Sequence, residues 1–312
     1  MKPNTSRPKR HFPIFRVLIL LLALGVFLYA SAQLMDYYSE YRKSDNTAQD
    51  LREQAVISIP ASLIPEATQA GTVPVIPEAA QEDKPEDMPP DEPEDMPAES
   101  LPDYPAISYT IPLMVDFTLL KEQNPDIIGW IYCADTPINY PIVQTEDNEY
   151  YLHRLPDGTS NANGSIFADF RNLADFSDPN TMIYGHNMKN GSMFASLLNY
   201  RQQSYYDAHP CLWILTPERA YRVDLLAGYT TPSDGEIYNV FSSAEEMQAV
   251  LSRIMEDSSF CPAEIPEDIQ NIVTLSTCTY EYNIARYVVI GNLVPAEYLP
   301  QEELDRIMAY SE

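Results

Sequence analysis

The sequence predicts a mainly β fold, a mixed or antiparallel barrel carrying a few peripheral helices. Short β-branched and aromatic runs recur from residue 107 to residue 294, with turn residues between them. No helices of roughly 10–15 residues alternate regularly with those runs, which disfavours a doubly wound α/β sheet. The last two runs, residues 271–278 and 286–294, are separated by a short polar segment, the pattern of a hairpin. An N-terminal apolar segment and a disordered acidic stretch complete the prediction.

The chain has 312 residues, 45% of them hydrophobic, enough for a substantial core. Its net charge of −27 argues against nucleic-acid binding, because phosphate contacts need a basic surface. The four cysteines, Cys133, Cys211, Cys261 and Cys278, include no C-x-x-C pair, so a zinc or thioredoxin-type site is not expected. A disulfide among Cys133, Cys211 and Cys261 stays open from sequence alone.

Residues 1–16 carry Lys2, Arg7, Lys9, Arg10 and Arg16 with no acid, and form a basic cytoplasmic leader. Residues 17–35 follow as an apolar segment, unbroken from Val17 to Ala30 except at Gly25 and the amphipathic Tyr29. A basic flank before an apolar run is an export signal that leaves the rest of the chain outside the cytoplasm. Two fates remain for it: cleavage after the A-x-A pattern Ala30-Ser31-Ala32, or retention as a membrane anchor.

Residues 36–105 read as an extracellular spacer whose first part, rich in tyrosine (Tyr37, Tyr38, Tyr41), continues as a short helix off the membrane. Between Glu66 and Asp103 stand twelve acids and one base, Lys84, and Pro-Glu-Asp-Met-Pro occurs at 85–89 and again at 93–97. Such a segment buries too little apolar surface to fold, and proline and charge repulsion both extend it.

The globular part spans residues 106–300. Residues 116–123 predict a short helix stopped by Asn124-Pro125, and residues 127–132 and 138–143 predict strands. Pro141 places the second of these at an edge or a bend. Residues 148–152 predict a helical turn; 164–168, 180–184, 212–215 and 220–229 predict strands; and 193–200 predict a short helix. Ser243 with Glu246 reads as a capping box for a helix through Met255. Residues 301–312 form a tail with a short polar helix at 301–310.

The chemistry centres on the terminal hairpin. Cys278 and Arg286 are equidistant from Tyr282, so a hairpin centred there sets them opposite each other on one face. A guanidinium beside a thiol favours the thiolate, which is the nucleophile. A structural cysteine near a surface arginine is the plain alternative. A cysteine nucleophile also needs a base or ion-pair partner. Of the histidines, His11 lies in the leader, while His153 and His209 read as surface residues in a turn and before a strand. His186 follows a strand directly at a glycine break, where a loop-borne group is held by a rigid scaffold. No Gly-rich phosphate loop and no H-E-x-x-H spacing is present, so no metal is expected.

Taken together, Tyr184-Gly-His186-Asn-Met, Thr274-Leu-Ser-Thr-Cys278 and Arg286-Tyr-Val-Val resemble a sortase. Asp126-Ile-Ile-Gly-Trp-Ile131, Tyr140-Pro-Ile-Val-Gln144, Asp147-Asn-Glu-Tyr-Tyr-Leu-His153 and Gly164-Ser-Ile-Phe-Ala-Asp169 resemble the class B branch. The resemblance covers residues 107–298 and leaves out the leader and the acidic stretch. It implies an eight-stranded barrel and a cysteine transpeptidase without a cofactor. The enzyme would be a single-pass type II protein of the cell membrane with its catalytic domain outside. Cys278 would attack the carbonyl of an Asn-Pro-x-Thr-like sorting motif near the C-terminus of a secreted protein. His186 would act as general acid, Arg286 would hold the oxyanion or the bound peptide, and a peptidoglycan amine would resolve the thioacyl intermediate. Asn148 and Leu152 would wall the peptide groove, Ser276 and Thr277 would line it beside the nucleophile, and Ile237 and Tyr238 would contribute from the segment before the last strands.

Competing readings are a pilus-polymerising sortase and a non-catalytic wall-binding module on the same barrel. The first often carries a second, C-terminal membrane segment, which Tyr310-Ser-Glu312 does not supply; the second would not need all three reactive residues. A papain-like protease would place its cysteine before its histidine, and here His186 comes first.

Overall fold

The computed structural model describes residues 14–58, 111–279 and 284–296. The start of the leader, the whole acidic stretch, the hairpin tip with Tyr282 and the tail with the helix expected at 301–310 lie outside the described residues.

The chain begins with α1 (Ile14–Ala55), β1 (Val56–Ser58), β2 (Leu113–Val115) and α2 (Phe117–Gln123). Then come β3 (Ile127–Tyr132), β4 (Asn139–Val143), β5 (Phe167–Ala168), β6 (Asn180–Tyr184), α3 (Gln203–Ala208), β7 (Cys211–Leu215) and β8 (Ala220–Pro232). The last elements are α4 (Ala244–Glu256), β9 (Ile272–Cys278) and β10 (Ala285–Ala296). Short 3-10 turns fill the gaps at Tyr151–His153, Ala195–Arg201 and Glu236–Tyr238.

Eight strands close into a barrel in the order β10-β8-β7-β3-β4-β5-β6-β9. The barrel is mixed: β4 with β5 and β6 with β9 run parallel, and the other neighbours antiparallel. β9 lies between β6 and β10, and from Ile272 to Thr277 every residue is buried. Burial on both faces explains why this stretch reads as a continuous β-rich run with no polar alternation. β10 is twelve residues long and shifts register against β8 between Ile290 and Gly291. A Cβ at Gly291 would collide with the Val223 side chain, so glycine is required at this bulge. β4 meets β5 only at Val143, which leaves one edge of the strand unpaired beside Pro141, as proline in a strand demands.

The helices expected over 116–123 and through Met255 hold with small boundary shifts, those expected over 148–152 and 193–200 are the 3-10 turns Tyr151–His153 and Ala195–Arg201, and α3 is not foreseen from sequence. Asp116 caps α2 by accepting from the Leu119 N–H. Ser243 caps α4 by accepting from the Glu246 N–H, but the Glu246 carboxylate reaches the Ser242 N–H and hydroxyl, one residue earlier than a capping box has it. The strand expected over 164–168 is shorter, Phe167–Ala168 only, because the backbone before it bonds to the turn at Tyr151 and His153. All four cysteines are free thiols, which closes the disulfide question.

The largest departure from the sequence reading lies at the N-terminus. Residues 36–58, grouped with the spacer from sequence, are helix and strand docked on the barrel. α1 runs without a break through the apolar segment and for twenty residues beyond Met35. Ser44, Ala48, Leu51 and Ala55 are buried at helical spacing. Asn161 donates to the Glu40 carbonyl at 3.0 Å, and the Arg52 guanidinium lies 5.2 Å from the Tyr140 ring centroid. β1 then pairs with β2, Val56 opposite Val115 and Ser58 opposite Leu113. The sequence predicts this part as a short helix off the membrane; its length and its docking on the barrel are not foreseen, because the buried stripe is sparse among polar side chains. The preceding part of α1 is long and apolar enough to cross a bilayer, and Leu18, Leu20, Leu22 and Phe27 are exposed along it.

Candidate active site

β6, β9 and β10 bring His186, Cys278 and Arg286, the three residues expected to carry the chemistry, to one end of the barrel. Arg286 pairs directly with Cys278 across β9 and β10, the register expected from their spacing. β6 runs parallel to β9, with Tyr184 beside Ser276, so the chain leaving β6 exits at the same end as Cys278. That exit is Gly185-His186. A Cβ at Gly185 would come within 2.5 Å of the Phe194 ring, so glycine lets the exit turn over the core at this point. The Gly185 N–H donates to the Ser276 carbonyl at 3.1 Å, and the Phe194 N–H to the His186 carbonyl at 3.1 Å, fixing the backbone on both sides of the ring.

The end of β9 is held as firmly. Asn187 donates its side-chain amide to the Cys278 carbonyl at 3.0 Å, and Arg201 donates to the Thr279 hydroxyl at 3.0 Å. The Thr279 N–H donates to the Ala285 carbonyl at 3.1 Å, closing the ladder one step past the Cys278–Arg286 pair.

Around these residues opens a cleft of about 170 Å³. His186, Cys278 and Arg286 line it together with Leu152, Tyr184, Tyr238, Ser276 and Thr277. Three further lining residues, Phe167, Gly185 and Ser233, were not singled out from sequence as site residues, and neither was Tyr184. Tyr184 was within reach of sequence reasoning, being two residues before His186; Phe167 and Ser233 come from distant segments that only the closed barrel brings close.

His186 is half-buried, and its Nε2 lies 3.3 Å from the Leu152 carbonyl. A carbonyl only accepts, so this contact places the proton of the neutral ring on Nε2 and leaves the Nδ1 lone pair free. Burial is the main cause that pushes the imidazole below its ordinary value; the Leu152 carbonyl works against it, and the charges of His153 and Arg286 add to it. The ring is therefore predominantly neutral at pH 7. The Arg286 guanidinium gives one N–H to its neighbour's carbonyl, that of Ala285, at 3.1 Å. The cleft wall is tied to β9 where the Tyr238 and Ser276 hydroxyls share a 2.7 Å hydrogen bond. The Thr277 hydroxyl is buried with no hydrogen-bond partner among the described residues.

Two residues expected at the groove are placed elsewhere. Asn148 is not part of the cleft lining; its side-chain oxygen accepts from the Phe170 N–H at 3.0 Å and holds the loop after β5. Ile237 is fully buried in the apolar cluster beneath α4, and its carbonyl accepts from Asn180. Its neighbour Tyr238 is the one that reaches the cleft. Of the histidines read as surface, His153 is exposed, whereas His209 is half-buried with its ring 4.6 Å from that of Tyr205.

This arrangement has counterparts among characterised proteins. Sortase B of Listeria monocytogenes is 39% identical over 178 residues, which span 56% of this chain and 72% of that protein. The chain belongs to the sortase B family. It is thus a cysteine transpeptidase, with an eight-stranded barrel like those of its relatives. Sortase B of Staphylococcus aureus is 31% identical over 182 residues, 57% of this sortase and 74% of the relative. Among solved structures, a complex of the Staphylococcus aureus enzyme with substrate superposes with a TM-score of 0.54 at 29% identity, over 58% of this chain and 85% of that one. A Bacillus anthracis protein similar to sortase B gives 0.52 at 38% identity, over 58% and 83%. No family model matches the chain.

Proposed function

We propose that this sortase cleaves an Asn-Pro-x-Thr-like sorting motif at its threonine carbonyl and transfers the secreted protein that carries it to a peptidoglycan amine. The observation that carries the reading is the convergence of Cys278, His186 and Arg286 on one cleft from the ends of β9, β6 and β10. A structure of the Staphylococcus aureus relative as a sortase B–substrate complex supports substrate binding on this barrel.

In this mechanism the neutral His186 takes the Cys278 thiol proton, and the thiolate attacks the threonine carbonyl. Arg286 donates hydrogen bonds to the oxyanion of the tetrahedral intermediate. His186 returns the proton to the leaving amine as the C–N bond breaks, leaving a thioacyl enzyme. The incoming amine loses its proton to His186 as it attacks, and the new amide forms as the sulfur leaves. Water in place of the amine gives slow hydrolysis. Leu152, Tyr238, Ser276 and Thr277 contact the peptide, and the unpartnered Thr277 hydroxyl gains a hydrogen bond from it; Asn148 and Ile237 act at one remove, by holding the loop and the core behind the cleft. Incubation with a library of Asn-Pro-x-Thr peptides, read by mass spectrometry, is expected to give cleavage after threonine. Failure to cleave any member, with an intact fold, would sink the reading.

The enzyme is anchored by α1 as a type II protein, with the basic leader inside and the barrel outside. The same helix positions the barrel. From Met35 to Ser44, the first buried residue of its docked face, is a rise of about 14 Å. In sequence the acidic stretch lies between β1 and β2, two strands that are paired with each other. The link between membrane and barrel is α1, which precedes both. Deleting residues 66–103 is therefore expected to leave both the activity of the soluble domain and the membrane-to-barrel distance, measured by energy transfer from a labelled barrel to labelled lipid, within error of the full chain. A shortened distance would show that the stretch sets the reach.

A further inference from the structure

We propose that Asp169 is a positioning residue for the peptide cleft, acting through Tyr184 and, by way of Arg171, through Tyr238. Asp169 follows β5 and is 1% exposed. Its backbone is fixed on both sides: its N–H donates to the Met182 carbonyl at 2.9 Å, and its carbonyl accepts from Gln144 at 2.8 Å. The carboxylate takes a two-pronged pair of hydrogen bonds from Arg171, 2.9 Å from Nε and 2.8 Å from Nη2, and a third from the Arg171 backbone N–H at 2.9 Å. Its Oδ2 also accepts from the Tyr184 hydroxyl at 2.8 Å. The Arg171 fork then donates to the Tyr238 carbonyl at 3.2 Å.

Both tyrosines line the cleft. Their rings lie nearly parallel, 5° apart with centroids separated by 6.5 Å. Two stacked amphipathic rings thus line one cleft, and their placement is set at the hydroxyl of one and the backbone of the other by a single ion pair whose carboxylate is buried and whose guanidinium reaches the surface. Burying a carboxylate is costly and gains little stability over an apolar replacement, so its return here is orientation. The bonds from Arg171 and Tyr184 hold the carboxyl down at about 2 against the opposing pull of burial, so the anchor stays charged over the working pH range. Tyr184 also stands two residues from His186, so a wall that shifts would move the peptide relative to the sulfur.

The inference rests on the cleft being the peptide site. The test uses the library peptide that the wild type cleaves, with Asp169→Asn, Tyr184→Phe and the double variant, measuring kcat and KM separately. The rate of Cys278 alkylation by a small thiol reagent is followed in parallel. Each single variant is expected to raise KM about ten-fold, the loss of one charge-assisted hydrogen bond, with kcat changed less than about three-fold and alkylation unchanged. The double variant should be no worse than the poorer single one, because both cut the same link. Tyr184→Phe removes only a hydroxyl and decides the matter if Asp169→Asn fails to fold. A wild-type KM in Tyr184→Phe, or losses that fall on kcat and alkylation instead, would overturn the positioning role. Absence of cleavage by the wild type, or cleavage by Cys278→Ala, would instead overturn the reading of the cleft.

Discussion

Cys278→Ala is expected to abolish cleavage and transfer, with a loss on the order of 10⁴-fold or more in kcat/KM and no covalent adduct. The size follows from the chemistry, since a thiolate is a far stronger nucleophile than the hydroxyls that share the cleft lining. The Ser276 hydroxyl is engaged by Tyr238, and the Thr277 hydroxyl has no base bonded to it. The fold should survive the change, because Cys278 is half-exposed at the last residue of β9 and the ladder to β10 is made by backbone. Peptide hydrolysis assayed with protein of unchanged melting temperature separates the two effects. Retained turnover would remove Cys278 from the mechanism.

Arg286→Lys is the second large effect, with kcat/KM expected to fall roughly 10²–10³-fold, the usual loss for one oxyanion donor. Lysine keeps the charge but not the planar fork. In the folded protein Arg286 already commits one N–H to the Ala285 carbonyl, and its remaining donors are oriented by that anchor. An ammonium has no second arm with which to hold itself in place while bonding the oxyanion. Steady-state kinetics on the cleaved peptide checks this, and a rate near that of the wild type would remove the oxyanion role from Arg286.

The site was legible to different depths for physical reasons. The Cys278–Arg286 pairing could be read from spacing, because an antiparallel hairpin sets register by arithmetic about its centre. His186 was legible as a strand exit at glycine, and the reason glycine stands there, the Phe194 ring pressed against it, needed the fold. The choice between Ile237 and Tyr238 could not be made from sequence. They are neighbours in a 3-10 turn, and only the packing of α4 shows that the isoleucine faces the core. The docking of α1 was hidden for another reason. Four small or apolar residues on one face, Ser44, Ala48, Leu51 and Ala55, make a weak stripe among charged neighbours, and a stripe of that kind identifies a partner only once the barrel supplies one. The pairing of β1 with β2 joins residues on either side of the acidic stretch, a separation across which no local pattern carries information.

The central claim is that Cys278 forms a thioacyl bond to the threonine of a sorting motif. Intact-protein mass spectrometry during turnover of the cleaved library peptide, followed by peptide mapping, addresses it directly. The account predicts an added mass equal to the acyl fragment ending in threonine, located on Cys278 and discharged when a peptidoglycan-type amine is supplied. Cleavage that proceeds with the adduct on another residue, or an adduct on Cys278 that the amine cannot discharge, would contradict it.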